Sequence, residues 1–223
     1  MLNIVIQESD LFFRQGLQCF FTDFFLFEFN QGIHFNFEFT HDTVRMADII
    51  VLPLCPGEVF TCIPELQSRT RGIVIGLVDD AFRTPASPSC FQDILFIARR
   101  TSLMQVREAL NITWQKTQLT GFSGDKNACS GCQHKTLSMQ QMRIMVNLYK
   151  GLSVTQIADK LKVSCKTIFT HKYMVMQKFD LRSDYELMIL LNKLAERNTH
   201  QNIFRDCFLN NSRTCDVAEE MIF

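Results

Sequence analysis

Between Ser164 and Lys178 the chain carries hydroxyls, ammonium groups and aromatic rings at helical spacing, a set suited to gripping a polyanion and reading its bases. Ser164, Lys166, Thr167, Lys172 and Lys178 offer donors and positive charge to phosphates. Such contacts set affinity and register but encode no sequence. Phe169, Thr170 and Tyr173 share a helical stripe with Lys166 and Gln177, the stripe that would face bases, where aromatic rings suit thymine methyls. For Phe169 the alternative is packing against a partner subunit. Ile168, His171, Val175 and Phe179 fall on the opposite stripe and are expected to point inward, His171 as a satisfied core residue rather than a base reader.

The charge distribution supports a polyanion partner. The 223 residues have a formal net charge of zero, but the stretch 135–182 has nine Lys or Arg against two acids, a net +7, which leaves −7 elsewhere. A basic module joined to an acidic one fits a nucleic-acid-binding domain with a separate control domain. At 47% hydrophobic and 21% charged residues, the composition is not that of a disordered chain. The start, MLNIVIQESD, lacks a basic region and a signal-peptide core, and the apolar run over residues 49–55 is too short to span a membrane. A cytoplasmic protein whose nine cysteines are reduced is expected. Of the 21 phenylalanines, eleven crowd between Phe12 and Phe39 and suggest core filling or a self-association surface.

Positioning that basic helix requires a module of its own. Ser138, with Gln141 in the reciprocal position, starts a helix striped by Met142, Met145, Val146 and Tyr149 and stopped at Gly151. Ser153 caps a second helix with Ile157, Ala158 and Leu161 on one side. After the turn 162–165, Ser164 caps the basic helix, and Ser183 or Asp184 caps a fourth through Leu187 and Leu191. Short helices joined by tight turns predict an all-α, four-helix domain over 135–197 containing a helix-turn-helix.

The first 118 residues read differently. Apolar runs at residues 2–6, 49–53, 73–78 and 94–98 have the form of buried strands, and Phe35, Phe37 and Phe39 alternate as in a half-exposed one. Helical patterns cover residues 11 to about 25 and, after Ser102, 103–116. Strands alternating with helices predict an α/β domain with a parallel sheet. Residues 85–89 read as an irregular connection within it, 119–134 as a linker and 198–223 as a tail. In the linker, Cys129, Cys132 and His134 are incidental, half of a metal site, or a redox pair; without a second spaced pair no metal is assigned. No cofactor is expected, and no nucleophile–base set indicates an enzyme.

Gly151, Ser153, Ile157, Ala158, Leu161, Ser164, Thr167, Ile168, His171, Val175, Lys178 and Phe179 stand at the spacing of the LuxR-type helix-turn-helix motif, which this region closely resembles. That domain is the output module of NarL/FixJ response regulators, and the resemblance implies double-stranded DNA as partner, with Phe169, Thr170 and Tyr173 facing bases. Gln141 and Met174 depart from the usual Glu and Asn.

Arg14, Gly16 and Leu17 resemble the first helix of a receiver domain, and residues 99–111 the segment after its lysine. Phosphotransfer there needs an acidic pair for Mg²⁺, an acceptor Asp, a hydroxyl and a Lys. Glu8 and Ser9 stand at the acidic pair, Pro53 at the acceptor, Gly76 or Leu77 at the hydroxyl and Arg99 at the lysine. No phosphoacceptor is therefore expected; Asp48 or Asp10 would serve only in a shifted register. Such a degenerate receiver resembles the auxiliary regulators of the Rcs capsule phosphorelay. It implies a phosphorylation-independent regulator acting as a homodimer or as a heterodimer with a response regulator, with RNA polymerase as a further partner. Two alternatives are a regulator sensing a small molecule in a phenylalanine-lined pocket and an antagonist that sequesters a related regulator without binding DNA.

Overall fold

The computed structural model describes residues 1–79, 94–120 and 135–196. The expected irregular connection 85–89, the pair Cys129 and Cys132 with His134, and the tail 198–223 lie outside the described residues. The chain forms two units, one of Met1–Leu54 with Cys62–Gln133, the other of Cys55–Thr61 with His134–Phe223.

In the first unit, strands β1 (Leu2–Ile6), β2 (Ile33–Asn36), β3 (Ile49–Pro53), β4 (Ile73–Val78) and β5 (Ile94–Ala98) form one sheet in the order β2-β1-β3-β4-β5. Every pair is parallel. The α/β class with a parallel sheet is therefore as expected, and β3 and β4, which are almost wholly buried, are continuous apolar runs for the reason anticipated. The first difference is β2. It ends at Asn36 because its ladder partner β1 runs only from Leu2 to Val5 there, so Phe37 and Phe39 lie beyond the strand. Phe37 instead lies under the Arg14 guanidinium, 4.7 Å from its ring centre.

Helix α1 (Leu11–Phe29) starts at Asp10, whose carboxylate accepts from the Phe12 and Phe13 amides, and ends at Asn30 in a left-handed conformation. Helix α3 (Leu103–Thr120) packs beside it. Both run further than the apolar pattern indicated. Their contact explains much of the phenylalanine crowding: Phe21, Phe24 and Phe25 are buried, and Phe25 meets Trp114 edge to face at 5.2 Å. The short helix α2 (His41–Met46) and the 3-10 turn Pro64–Ser68 had no sequence signal strong enough to predict them.

The second unit holds α4 (Met139–Tyr149), α5 (Val154–Leu161), α6 (Cys165–Lys178) and α7 (Asp184–Glu196). The 3-10 turn Glu58–Phe60 groups with it, a placement that nothing in the sequence signalled. The Lys135 amide donates to the Phe60 carbonyl at 2.9 Å and its ammonium lies 3.4 Å from the Phe60 ring centre. Burial lowers the Lys135 pKa below its ordinary value, with Asp180 opposing and Lys178 adding to the shift.

Two glycines separate backbone constraint from tolerance. Gly72 has φ +78°, and a Cβ there would lie 2.1 Å from the Asp48 carbonyl oxygen; at Gly16, within α1, it would meet nothing within 4 Å. Gly72→Ala should destabilise the protein by at least about 2 kcal/mol in urea unfolding, whereas Gly16→Ala should be neutral or stabilising by up to about 1 kcal/mol.

Candidate nucleic-acid interface

Three capped helix starts position α6. Ser138 and Gln141 form a reciprocal capping box at α4, and Ser153 and Gln156 a second at α5. The α4 helix stops at Gly151, with φ +81°, as expected from its type. The turn between α5 and α6 depends on Lys162 in the left-handed region, φ 53°, unusual for a non-glycine residue. The Asn147 amide, buried in α4, donates to the Arg143 carbonyl at 2.7 Å and its oxygen accepts from the Lys160 ammonium at 2.9 Å. This polar link between α4 and α5 was missed, because Asn in a helical pattern reads as a surface residue.

The faces of α6 separate largely as the spacing indicates. Ile168, Val175 and Phe179 are buried. Lys166, Thr170 and Gln177 are exposed, with Phe169 54% and Tyr173 61% exposed between them. These five form one continuous stripe. The Thr170 hydroxyl donates to the Lys166 carbonyl at 2.9 Å, and the Gln177 amide donates to the Tyr173 oxygen at 3.0 Å. A bare apolar ring in water is unfavourable, so an exposed Phe beside an exposed Tyr marks a surface suited to being covered.

The residues expected to meet phosphates differ among themselves. Ser164 accepts the Thr167 amide at 3.1 Å as the cap of α6, and the two hydroxyls lie 2.9 Å apart. Both can still turn a hydroxyl toward an anion at this helix start. Lys166 is exposed and Lys178 half-buried. Lys172 departs from the picture of a free cation: its ammonium pairs with Asp184 at 2.8 Å and lies 5.9 Å from the Phe169 ring centre. The pair links α6 to the start of α7. His171 also departs, in that its Nδ1 is buried without a hydrogen-bond partner among the described residues. It is half-buried on the inner side but is not a satisfied core histidine.

The carboxyl edge of the first unit's sheet gathers the other singled-out residues. Glu8, with its side chain 3% exposed, pairs with Arg99 at 2.6 Å and accepts the Asp10 amide at 3.0 Å. Arg99, 28% exposed, also reaches Asp79 at 3.5 Å and lies over the Phe13 ring at 4.7 Å. Pro53 ends β3 opposite Leu77, with Leu52 opposite Gly76, so no hydroxyl stands at either place. Asp48 lies before the other end of β3, accepting the Asn3 amide at 2.8 Å and pairing with Arg71 at 3.0 Å. Asp10 is occupied as the cap of α1.

Residues 135–191 match the family described as bacterial regulatory proteins, luxR family, and this part of the chain is a LuxR-family helix-turn-helix domain. Over 138 residues the chain is 43% identical to the transcriptional activator protein BglJ of Escherichia coli (strain K12), covering 59% of each. Over 123 residues it is 28% identical to the oxygen regulatory protein NreC of Staphylococcus carnosus (strain TM300), covering 55% of this chain and 52% of the relative. The chain thus spans somewhat over half the length of the curated relatives it matches. Among solved structures, RcsB from Salmonella enterica serovar Typhimurium, bound to promoter P1flhDC in the presence of phosphomimetic BeF3-, aligns with TM-score 0.53 at 19% identity, covering 85% of this chain and 97% of that one. That likeness extends the shared fold to the receiver-like first unit. Ser164→Ala, which removes the α6 cap, should lower stability by about 1 kcal/mol in thermal unfolding of the full chain.

Proposed function

We propose that this chain is a transcription regulator that binds double-stranded DNA through α6, as a homodimer or as a heterodimer with a response regulator, and that its receiver-like unit takes no phosphoryl group. One observation carries the DNA reading: the exposed stripe Lys166, Phe169, Thr170, Tyr173 and Gln177 on the second helix of a LuxR-family helix-turn-helix. A relative described as a transcriptional activator supports the regulatory half. Two-fold pairing follows from geometry, since one helix in one groove reads too few base pairs to single out an operator. RNA polymerase is the further partner through which such binding would act on transcription.

The chemistry of the first unit supports phosphorylation independence. Pro53 has no nucleophile, and the Arg99 guanidinium lies against the Glu8 carboxylate, where a receiver would hold a divalent cation. A guanidinium supplies charge but no coordination site. Of the other acidic residues, Asp10 serves as a helix cap, Asp79 reaches Arg99 at 3.5 Å, and Asp48 lies at the opposite end of its strand.

Fluorescence-anisotropy titrations against an operator and a scrambled duplex, across a salt series, test these roles. Lys166→Ala should weaken binding to both duplexes and flatten the salt slope by about one unit, whereas Lys172→Ala, removing a cation already paired with Asp184, should change the slope by much less. Tyr173→Ala or Thr170→Ala should instead narrow the gap between operator and scrambled duplex, each at a cost of about 1–3 kcal/mol in discrimination. Identical effects from all four changes would overturn the division of the helix. Acetyl phosphate or beryllofluoride with Mg²⁺ should leave operator affinity within about twofold, a difference worth under 0.5 kcal/mol; a larger gain would overturn the phosphorylation-independent reading.

A further inference from the structure

A cleft of about 600 Å³ lies between the first half of α1 and the first turns of α3. Ile75, Leu77 and Ile97 line it from the sheet, and Phe13 and Phe20 from α1. The volume falls in the range of small-molecule sites and far exceeds the voids that close-packed interiors retain. Gly16 is the reason α1 leaves room: it lines the cleft, and a side chain there would enter open space. Phe12, 92% exposed, extends the apolar lining to the mouth.

The polar groups of the lining define what it would accept. Arg99 and Arg107 both border the cleft, but Arg99 pairs with Glu8 and Asp79, and Arg107 pairs with Glu28 at 3.0 Å. Counting those three partners, which lie off the lining, with Asp23 on it, four carboxylates stand against two guanidinium groups, so the cleft offers an anion no net attraction. Each guanidinium nevertheless carries five N–H donors, more than these ion pairs occupy, and the surplus can serve a neutral oxygen. We infer that the cleft is a binding site for an uncharged, largely apolar molecule, a flat ring system of roughly 12–20 non-hydrogen atoms with one hydrogen-bond-accepting oxygen. The apolar rings would take its body, and Arg99 or Arg107 its oxygen. The site lies wholly within the first unit and does not depend on the DNA-binding reading.

The test is a fluorescence titration of the full chain with prodan, a neutral naphthyl ketone, beside anilinonaphthalene sulfonate, a comparable ring system bearing a negative charge. Prodan should saturate one site per chain with blue-shifted emission and bind at least tenfold more tightly than the sulfonate. Gly16→Leu should weaken prodan at least tenfold without lowering the melting temperature, and Gly16→Ala, which fills less of the space, should weaken it less. Non-saturating prodan, equal binding to Gly16→Leu, or a sulfonate that binds as tightly would overturn the proposal. So would prodan and Gly16→Leu each dissociating a dimer in sedimentation velocity, which would make the cleft a seam between two copies of the chain.

Discussion

A sheet in which every neighbouring pair runs parallel has two apolar faces to cover and no hairpins to hold its strands together. Each strand must be followed by a crossover before the next can pair. In the first unit α1 makes the crossover from β1 to β2, and α3, which follows the last strand, packs into the same core and brings Trp114 against Phe25. The parallel arrangement also gathers the strand carboxyl ends at one edge, so Glu8, Asp79 and Arg99 meet although they are far apart in sequence, and Pro53 ends β3 at that same edge.

The helix-turn-helix was the most legible part of the chain because its determinants are local. Ser138, Ser153 and Ser164 each cap a helix through an amide three residues on, and such spacing can be read from the sequence alone. The inward positions Ile168, Val175 and Phe179 and the outward positions Phe169 and Tyr173 follow from one period, and the structure places them accordingly. Strands β3 and β4 were equally plain, since an uninterrupted apolar run bounded by polar residues has few other uses.

The features that escaped the sequence depend on distant partners. Lys172 belongs by type and spacing with the phosphate-directed lysines, and only the entry of α7 reveals its pairing with Asp184. Asn147 is a buried tie to Lys160 that no periodicity marks. The length of β2 is set by β1, a strand some thirty residues earlier in the chain, which an alternation of three phenylalanines cannot report. His171 was placed on the correct side of α6, but whether its ring nitrogens find partners is decided by the packing around it.

The Glu8–Arg99 pair also bears on how the first unit could change over generations. A nucleophile restored at Pro53 alone would face a site whose cation is a guanidinium held by a buried carboxylate, with no hydroxyl on β4 opposite. Replacing Arg99 by a neutral residue would leave the buried Glu8 without its counter-charge, whereas after loss of Glu8 the partly exposed Arg99 keeps Asp79. On the proposed reading, in which this unit takes no phosphoryl group, the pair ties the residue at the lysine position to remaining cationic.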